Sequence, residues 1–362
     1  MKSLALWLAV AALPLSAVCA GLGLLALGGA FSGRLDVLSH VAPLWVVGAI
    51  VSLAMAAIGA PSRRGATIIL ATVALAAGAT LIAPEFLRST GPVAPPGAPG
   101  QLKVIQFNAS RDNPRVGRIV DWLVAEQPDV VMIEEATPAL RDAILARTGW
   151  HVAGAATTVM IFTPAPYLVM HRPQVEPGSK LVWVNATYAS ASGPFEVVVT
   201  HFTWPTQVIH RAQSLAMRRV LAELPRDRTI LAGDFNSTPW SFVRRADDRA
   251  FGLVRRDRAL ASWPADRVGA RGLAAPFPFL PIDHVYAGIG WATVSVRRGP
   301  RLGSDHYPVV VTLAPTAAPT AAPTAAPETA PTARAGAWAM SAAVKSRSTA
   351  ANSSMIPLGS RK

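Results

Sequence analysis

The chain opens with three apolar runs, residues 4–31, 37–60 and 66–82, that carry almost no charge. Each is near the ~20 residues with which an α-helix crosses the hydrocarbon core of a bilayer, so residues 1–90 are predicted to hold about three transmembrane helices. Up to Gly100 the only acids are Asp36 and Glu85, and the only bases are Lys2, Arg34, Arg63, Arg64 and Arg88. A cleaved signal peptide is the competing reading of the first run, since Lys2 precedes it and Val18-Cys19-Ala20 has the small-residue pattern of a cleavage site. Arg63 and Arg64 crowd the loop between the second and third runs, which the positive-inside rule assigns to the cytoplasm. The third helix then delivers everything after Arg88 to the far side, as expected for a multi-pass protein of the cell (inner) membrane with an extracytoplasmic body.

Beyond these runs the pattern changes. Residues 91–100, GPVAPPGAPG, are Pro/Gly-rich and predict an extended linker. Short Val- and Ile-rich runs at 102–108, 130–134, 181–188, 195–201, 229–234, 282–287 and 307–313 read as strands, and residues 116–126, 138–147 and 206–224 as helices. Strands interleaved with helices point to one α/β domain over 101–313 with a single sizeable core. From Ala314 the chain repeats Pro-Thr-Ala-Ala and runs into a Ser/Ala/Lys tail, with too few apolar side chains to offset the entropy of ordering, so 314–362 is expected to be disordered.

Composition sharpens this division. Charged residues make up 15% of the chain, below the ~25% of a soluble protein, because the first hundred residues dilute them. Net charge is +13, and residues 101–313 hold 24 Lys plus Arg against 18 Asp plus Glu. A basic surface favours polyanions or anionic lipid head groups but decides nothing alone. Cys19 is the one cysteine, which excludes an intrachain disulfide and a cysteine-based zinc site.

Acidic, amide and imidazole side chains follow directly on the strand-like runs, at Asn108, Glu134-Glu135, His201, Asp234-Phe235-Asn236, Asp283-His284 and Ser304-Asp305-His306. Strand ends gather distant residues around one point. Carboxylate and amide oxygens with few imidazoles suit Mg2+ or Mn2+ better than a closed zinc site. The same groups meet the demands of phosphate-ester hydrolysis, which needs an aligned water, neutralised non-bridging oxygens and a stabilised leaving oxygen.

In order, KVIQFNAS, PDVVMIEEA, VVVTHFTWP, ILAGDFNSTPWS, PIDHVYAG and LGSDHYPVVV resemble the successive motifs of the endonuclease/exonuclease/phosphatase superfamily, which includes pancreatic deoxyribonuclease, abasic-site endonucleases, sphingomyelinases and inositol-polyphosphate phosphatases. GDFN and GSDHYP are the specific motifs, whereas Thr-His or Ile-Asp-His carries no weight in isolation. The resemblance spans nearly the whole polar domain. It implies a four-layer α/β sandwich, two mixed sheets flanked by helices, that acts as a divalent-metal-dependent phosphoesterase on phosphodiester or phosphomonoester bonds. It also implies that Glu135 binds the metal, with Asn108 and Asp305 at or beside it, and that His306 is the catalytic histidine oriented by Asp283. Asp234 would align or deprotonate the attacking water, while Asn236 and His201 would hydrogen-bond the phosphoryl oxygens; whether Asp234 or His306 is the base stays open. The sequence departs from the pattern at Glu134, where many relatives carry glutamine, and after Asn108, where no acid follows. Residues 157–166 lack the Gly-Val pattern of DNA-cleaving relatives and the domain is compact, which counts against an abasic-site nuclease.

Positive charge makes nucleic acid the first substrate expected, the membrane tether makes phospholipid the second, and a catalytically silent tethered binding protein is the third reading. The bilayer is the other expected partner, and no protein partner is implied. Arg244, Arg245, Arg255, Arg256 and Arg258 form a cluster whose commoner meaning is a solvated face and whose alternative is a grip on phosphates. Trp204 and Trp240 flank two motifs, where aromatic residues more often pack than stack on substrate.

Overall fold

Small side chains let the N-terminal helices approach one another. In the computed structural model, which describes residues 2–59, 61–171, 178–265 and 275–316, α1 (Lys2–Leu27), α2 (Gly33–Ser39), α3 (Ala42–Ile58) and α4 (Arg64–Leu87) form a bundle. Ala12, Ala26, Ala49, Ala71 and Ala74 are fully buried inside it, while Leu6, Leu24, Val47, Ile50 and Ile69 point outward. Small residues inside and large apolar ones outside is the arrangement suited to lipid, where no hydrophobic force draws helices together and close packing must. Two helices, Ala5–Ala30 and Pro61–Leu87, are long and apolar enough to cross a membrane, and the number is three if α2 and α3, bent by 55°, are one broken span. The second expected run is therefore not one straight helix. Asp36 and His40 explain the break, because both turn to the α/β domain.

That domain is a sandwich of two mixed six-stranded sheets. The first has β1 (Leu102–Asn108), β2 (Val130–Glu134), β3 (His151–Ala153) and β4 (Val159–Thr163) at one side; the second begins with β5 (Val169–His171), β6 (Val182–Tyr188), β7 (Phe195–His201), β8 (Thr229–Asp234), β9 (Val254–Arg255) and β10 (Asp283–Ala287). The chain returns to the first sheet with β11 (Trp291–Arg298) and β12 (Val309–Pro315), giving strand orders β11-β12-β1-β2-β4-β3 and β5-β6-β7-β8-β10-β9. The pairs β1/β2 and β7/β8 are parallel. Alternation sends Val104, Met132, Val199, Ala232, Val285 and Val311 into the core between the sheets. Outward-facing Ile105, Phe107 and Ile133 pack on α5 (Val116–Glu126) and α6 (Pro138–Thr148); Val198, Leu231 and Tyr286 lie under α7 (Ile209–Ala222) and α8 (Phe242–Ala250). Helix, sheet, sheet, helix is the expected four-layer order.

The two acids of the first hundred residues both reach the domain. Asp36 Oδ1 and Oδ2 accept the N–H groups of Phe242 and Val243 at 2.8 and 3.0 Å, in the first turn of α8, where unpaired donors and the helix dipole favour an anion. His40 Nδ1 accepts the Thr238 N–H at 3.1 Å, and the Trp240 indole donates to the His40 carbonyl at 3.2 Å. Glu85 Oε2 lies 2.7 Å from Arg255 Nη2 with both side chains buried. Arg88 donates to the carbonyls of Arg255, at 2.8 Å, and Asp257.

The arginine cluster is therefore not a solvated face. Arg244, Arg255 and Arg256 are buried. Arg256 donates to the carbonyls of Thr90, Ala287, Gly288 and Trp291, Arg258 to those of Phe86 and Arg88, and Arg245 to that of Thr80. Five donors on one planar group suit closing carbonyls that no strand or helix partner satisfies.

Residues 91–100 are not a free spacer, since Thr293 donates to Pro92 O at 2.8 Å and accepts from the Ala94 N–H at 3.0 Å. Strand β12 runs to Pro315, past the expected boundary at 313. The expected disordered tail, from 317 onward, lies outside the described residues.

Replacing Glu85 by Ala removes a charge-assisted bond worth about 1.5–3 kcal/mol. The thermal midpoint of the full chain in detergent should fall for Glu85→Ala and fall less for Glu85→Gln; equal midpoints for all three proteins would deny this contact a docking role.

Candidate active site

The site is where the columns between the sheets turn polar. On β1 the column reads Val104, Gln106, Asn108; on β2 Met132, Glu134; on β7 Val199, His201; on β8 Ala232, Asp234; and on β10 Val285, Asp283. Register brings the ends level, since Asn108 pairs with Glu134, His201 with Asp234 and Asp234 with Asp283. Gly233 permits the close approach of β8 to β7, because a Cβ there would overlap the Thr200 carbonyl. Ser110, Glu135 and Asn236, each just beyond a strand, hold left-handed backbone at φ 58°, 53° and 48°. Such conformations are costly for non-glycine residues and persist where their surroundings enforce them.

Asp234 is the hub. Its Oδ2 accepts from Asn108 Nδ2 at 3.0 Å and from Asn236 Nδ2 at 3.2 Å, and lies 3.5 Å from His201 Nε2 and 3.7 Å from His306 Nε2. Asn108 thereby joins the two sheets. The Asn236 amide also donates to the Phe202 carbonyl at 2.8 Å, so its Nδ2 braces Asp234 while its buried Oδ1 has no hydrogen-bond partner among the described residues. His306 Nδ1 meets Asp283 Oδ2 at 2.8 Å. Gln106 Nε2 donates to the other Asp283 oxygen at 2.7 Å and to Glu134 Oε2 at 2.8 Å. The Ser304 hydroxyl donates to the Asn108 carbonyl at 2.7 Å and accepts the His306 N–H at 3.0 Å, fastening the final loop to the end of β1.

Charge is unevenly shared. Burial opposes a proton on His306, but Asp283 and then Asp234 outweigh it and push its pKa up to about 10. Burial likewise raises Asp283, yet the His306 charge and hydrogen bond prevail and hold it below the usual carboxylate value. For Asp234 burial wins and the carboxyl moves up. Glu134, buried and facing Asp283 and Asp234, moves far above the usual value. Glu135 goes the other way, its burial outweighed by the Arg111 N–H at 3.0 Å and by His201 nearby.

A cleft of about 340 Å³ is lined by Asn108, Glu135, His201, Asp234, Asn236, Asp305 and His306, with Asp283 behind them. Seven of the eight residues expected from the sequence thus share one concavity. The ionised carboxylate of Glu135, 3.4 Å from the Asn108 amide and on the same cleft as Asp305, is an oxygen-rich donor set that suits Mg2+ or Mn2+. Asp234, Asp283 and His306 bring ligand atoms within 4.8 Å of one another. Both Asp283 oxygens and His306 Nδ1 are already bonded, however, so this trio is better suited to holding a proton. Asp305 Oδ2 accepts the Trp263 indole N–H at 3.2 Å.

Sequence reasoning passed over Gln106, Ser304 and Lys180. Gln106 was detectable as the residue two before Asn108, on the same face of β1. Lys180 lines the cleft without any motif to mark it, and Trp204, beside the His201 motif, lines it too.

The Endonuclease/Exonuclease/phosphatase family matches residues 105–306. The endonuclease/exonuclease/phosphatase from Bacteroides vulgatus is similar in structure, with TM-score 0.50 and 17% identity over 60% of this chain and 99% of its own. Humanised D. rerio TDP2 gives 0.47 and 15% over 59% and 99%, and a Bacteroides thetaiotaomicron mannosyl-6-phosphatase 0.48 and 14% over 59% and 99%. No curated protein matches the chain.

A raised histidine pKa makes stability depend on pH in a defined direction. The proton on His306 stabilises the fold in full below about 6.5, the unfolded value, and the benefit is lost as the pH rises through about 10. In chelator-treated protein the stability advantage of wild type over His306→Gln, measured by denaturant titration, should shrink across that interval; a gap that widens would contradict the ion pair.

Proposed function

The chain belongs to the Endonuclease/Exonuclease/phosphatase family, and from that premise we propose that it is a membrane-anchored, divalent-metal-dependent phosphoesterase. Members of the family are hydrolases of phosphoester bonds. The observation that carries the proposal is the shared cleft, where six separate stretches of chain contribute Asn108, Glu135, His201, Asp234 with Asn236, Asp283, and Asp305 with His306.

When bound, a Mg2+ or Mn2+ ion at Glu135, with Asn108 and Asp305 beside it, supplies positive charge to the phosphoryl oxygens. Asp234, its carboxyl shifted up, takes the proton of the attacking water as the new P–O bond forms, since a base closer to neutrality accepts a proton more effectively. His306, kept protonated by Asp283, gives the Nε2 proton to the leaving oxygen as the old P–O bond breaks. His306 Nε2 and Asp234 Oδ2 lie 3.7 Å apart, beyond a direct hydrogen bond, so the collected proton returns by way of solvent. His201 hydrogen-bonds the phosphoryl oxygens as charge develops, while Asn236, whose amide hydrogens go to Phe202 and Asp234, braces the base.

Nucleic acid has less support than the net charge promises, because the five clustered arginines serve buried or bundle contacts. The far end of the bundle supports an extracytoplasmic domain: Arg63 and Arg64 begin α4, whose other end carries Glu85 and the domain contacts.

Full-length protein in detergent with Mg2+ should hydrolyse generic phosphodiesters or phosphomonoesters, lose activity with chelator and regain it on adding Mg2+. His306→Ala should lower kcat by about 10²–10⁴-fold; activity that survives both this change and Glu135→Ala would refute the assignment. A reporter fused after Leu313 should behave as extracytoplasmic, and cytoplasmic reporter activity would reverse the topology.

A further inference from the structure

Beside the catalytic cleft lies a second, larger cavity of about 620 Å³, walled on one side by the start of α2 in the anchor and on the other by the segment from Pro205 to Arg211. Gln207 lines both cavities, so the two are neighbours that meet at that residue. The junction sits where the long apolar helix Ala5–Ala30 ends, beside α2 and the α8 contact, which is the level of the bilayer surface if that helix spans.

The chemistry around this passage is two-sided. Phe31, Val208 and Trp204 are large apolar side chains at 93%, 90% and 44% exposure, the first beside the larger cavity, the second lining it and the third lining the cleft. Arg34 and Arg211 line the larger cavity as cations at head-group height. His210 also lines it, and its Nδ1 is bound to the Thr203 carbonyl at 2.7 Å; the buried Nε2 has no hydrogen-bond partner among the described residues. A water-soluble ester needs neither an apolar approach nor an anchor wall. A lipid needs both, since its chains stay in the bilayer while its polar part must reach the cation site.

Resting on the phosphoesterase reading above, we propose that the substrate is a phosphate ester carried on a hydrocarbon chain in the same bilayer, admitted through the composite passage between α2 and residues 205–211. The anchor then does more than localise the enzyme, because it forms part of the substrate's path. Hydrolysis breaks one P–O bond with water supplying the oxygen to phosphorus and the proton to the leaving group, and the apolar product remains in the membrane.

The test uses the full chain in phosphatidylcholine vesicles carrying either phosphatidylglycerol, a diester, or phosphatidic acid, a monoester, beside bis(4-nitrophenyl) phosphate and a single-stranded oligonucleotide as soluble substrates. Val208→Glu, on an exposed side chain outside the catalytic group, places an anion in the passage. Turnover of either vesicle lipid is expected, with Val208→Glu slowing it about tenfold and leaving the soluble diester within about twofold. Hydrolysis of soluble esters without either lipid, or a Val208→Glu effect equal on both, overturns the inference and leaves the phosphoesterase reading standing. Failure to hydrolyse any of the four removes that reading and the inference with it.

Discussion

Asp234 and Asp283 face each other across adjacent antiparallel strands in a buried interior, and two such carboxylates cannot both ionise without a cation between them. His306 is that cation, 2.8 Å from one and 3.7 Å from the other. Much of the surrounding structure serves to keep it there. Ser304 fixes the His306 backbone to the end of β1, and the Gln106 amide nitrogen donates both to the second oxygen of Asp283 and to Glu134. The result is one carboxyl lowered and one raised on the same histidine, a division of roles that environment alone imposes.

The end of β8 and the loop after it carry Asp234 and Asn236 and are held from two directions by the N-terminal bundle. On one side His40 and Asp36 bond to Thr238, Phe242 and Val243. On the other, Glu85 meets Arg255, Arg255 lies 3.5 Å from Asp257, Asp257 pairs with His284 at 2.7 Å, and His284 Nε2 reaches the Ser237 carbonyl at 3.0 Å. Buried ion pairs add little net stability, but they fix geometry because any displacement strands a charge. The bundle and the catalytic loop are thereby one mechanical unit, and α2 becomes available as a wall for whatever enters the cleft.

Several boundaries were legible because they depend on local pattern. The apolar runs, the strands at 102–108, 130–134, 195–201 and 229–234, and the helix at 116–126 follow from periodicity and coincide with β1, β2, β7, β8 and α5. Short edge strands such as β3, β5 and β9 were not legible, since two or three residues carry no period. Strand β4, with every residue buried, has no polar alternation to mark it. Helix α8, Phe242–Ala250, reads as a charge run because Arg244 and Asp247 are buried as an ion pair and Asp248 meets the buried Arg255, which the pattern of polar positions does not mark as interior.

The sequence by itself singled out the candidate residues, because Asn108, Glu135, His201, Asp234, Asn236, Asp283, Asp305 and His306 end apolar runs or stand in ordered motifs. Only the tertiary structure decided what surrounds them. Whether Arg255 is solvated or buried, whether Glu134 is charged, and whether Asp36 belongs to lipid or to α8 are questions of distance between segments about fifty to two hundred residues apart, and no local pattern encodes such distances. Residue type reports what a side chain can do; its protonation and its partner are properties of the space the fold encloses.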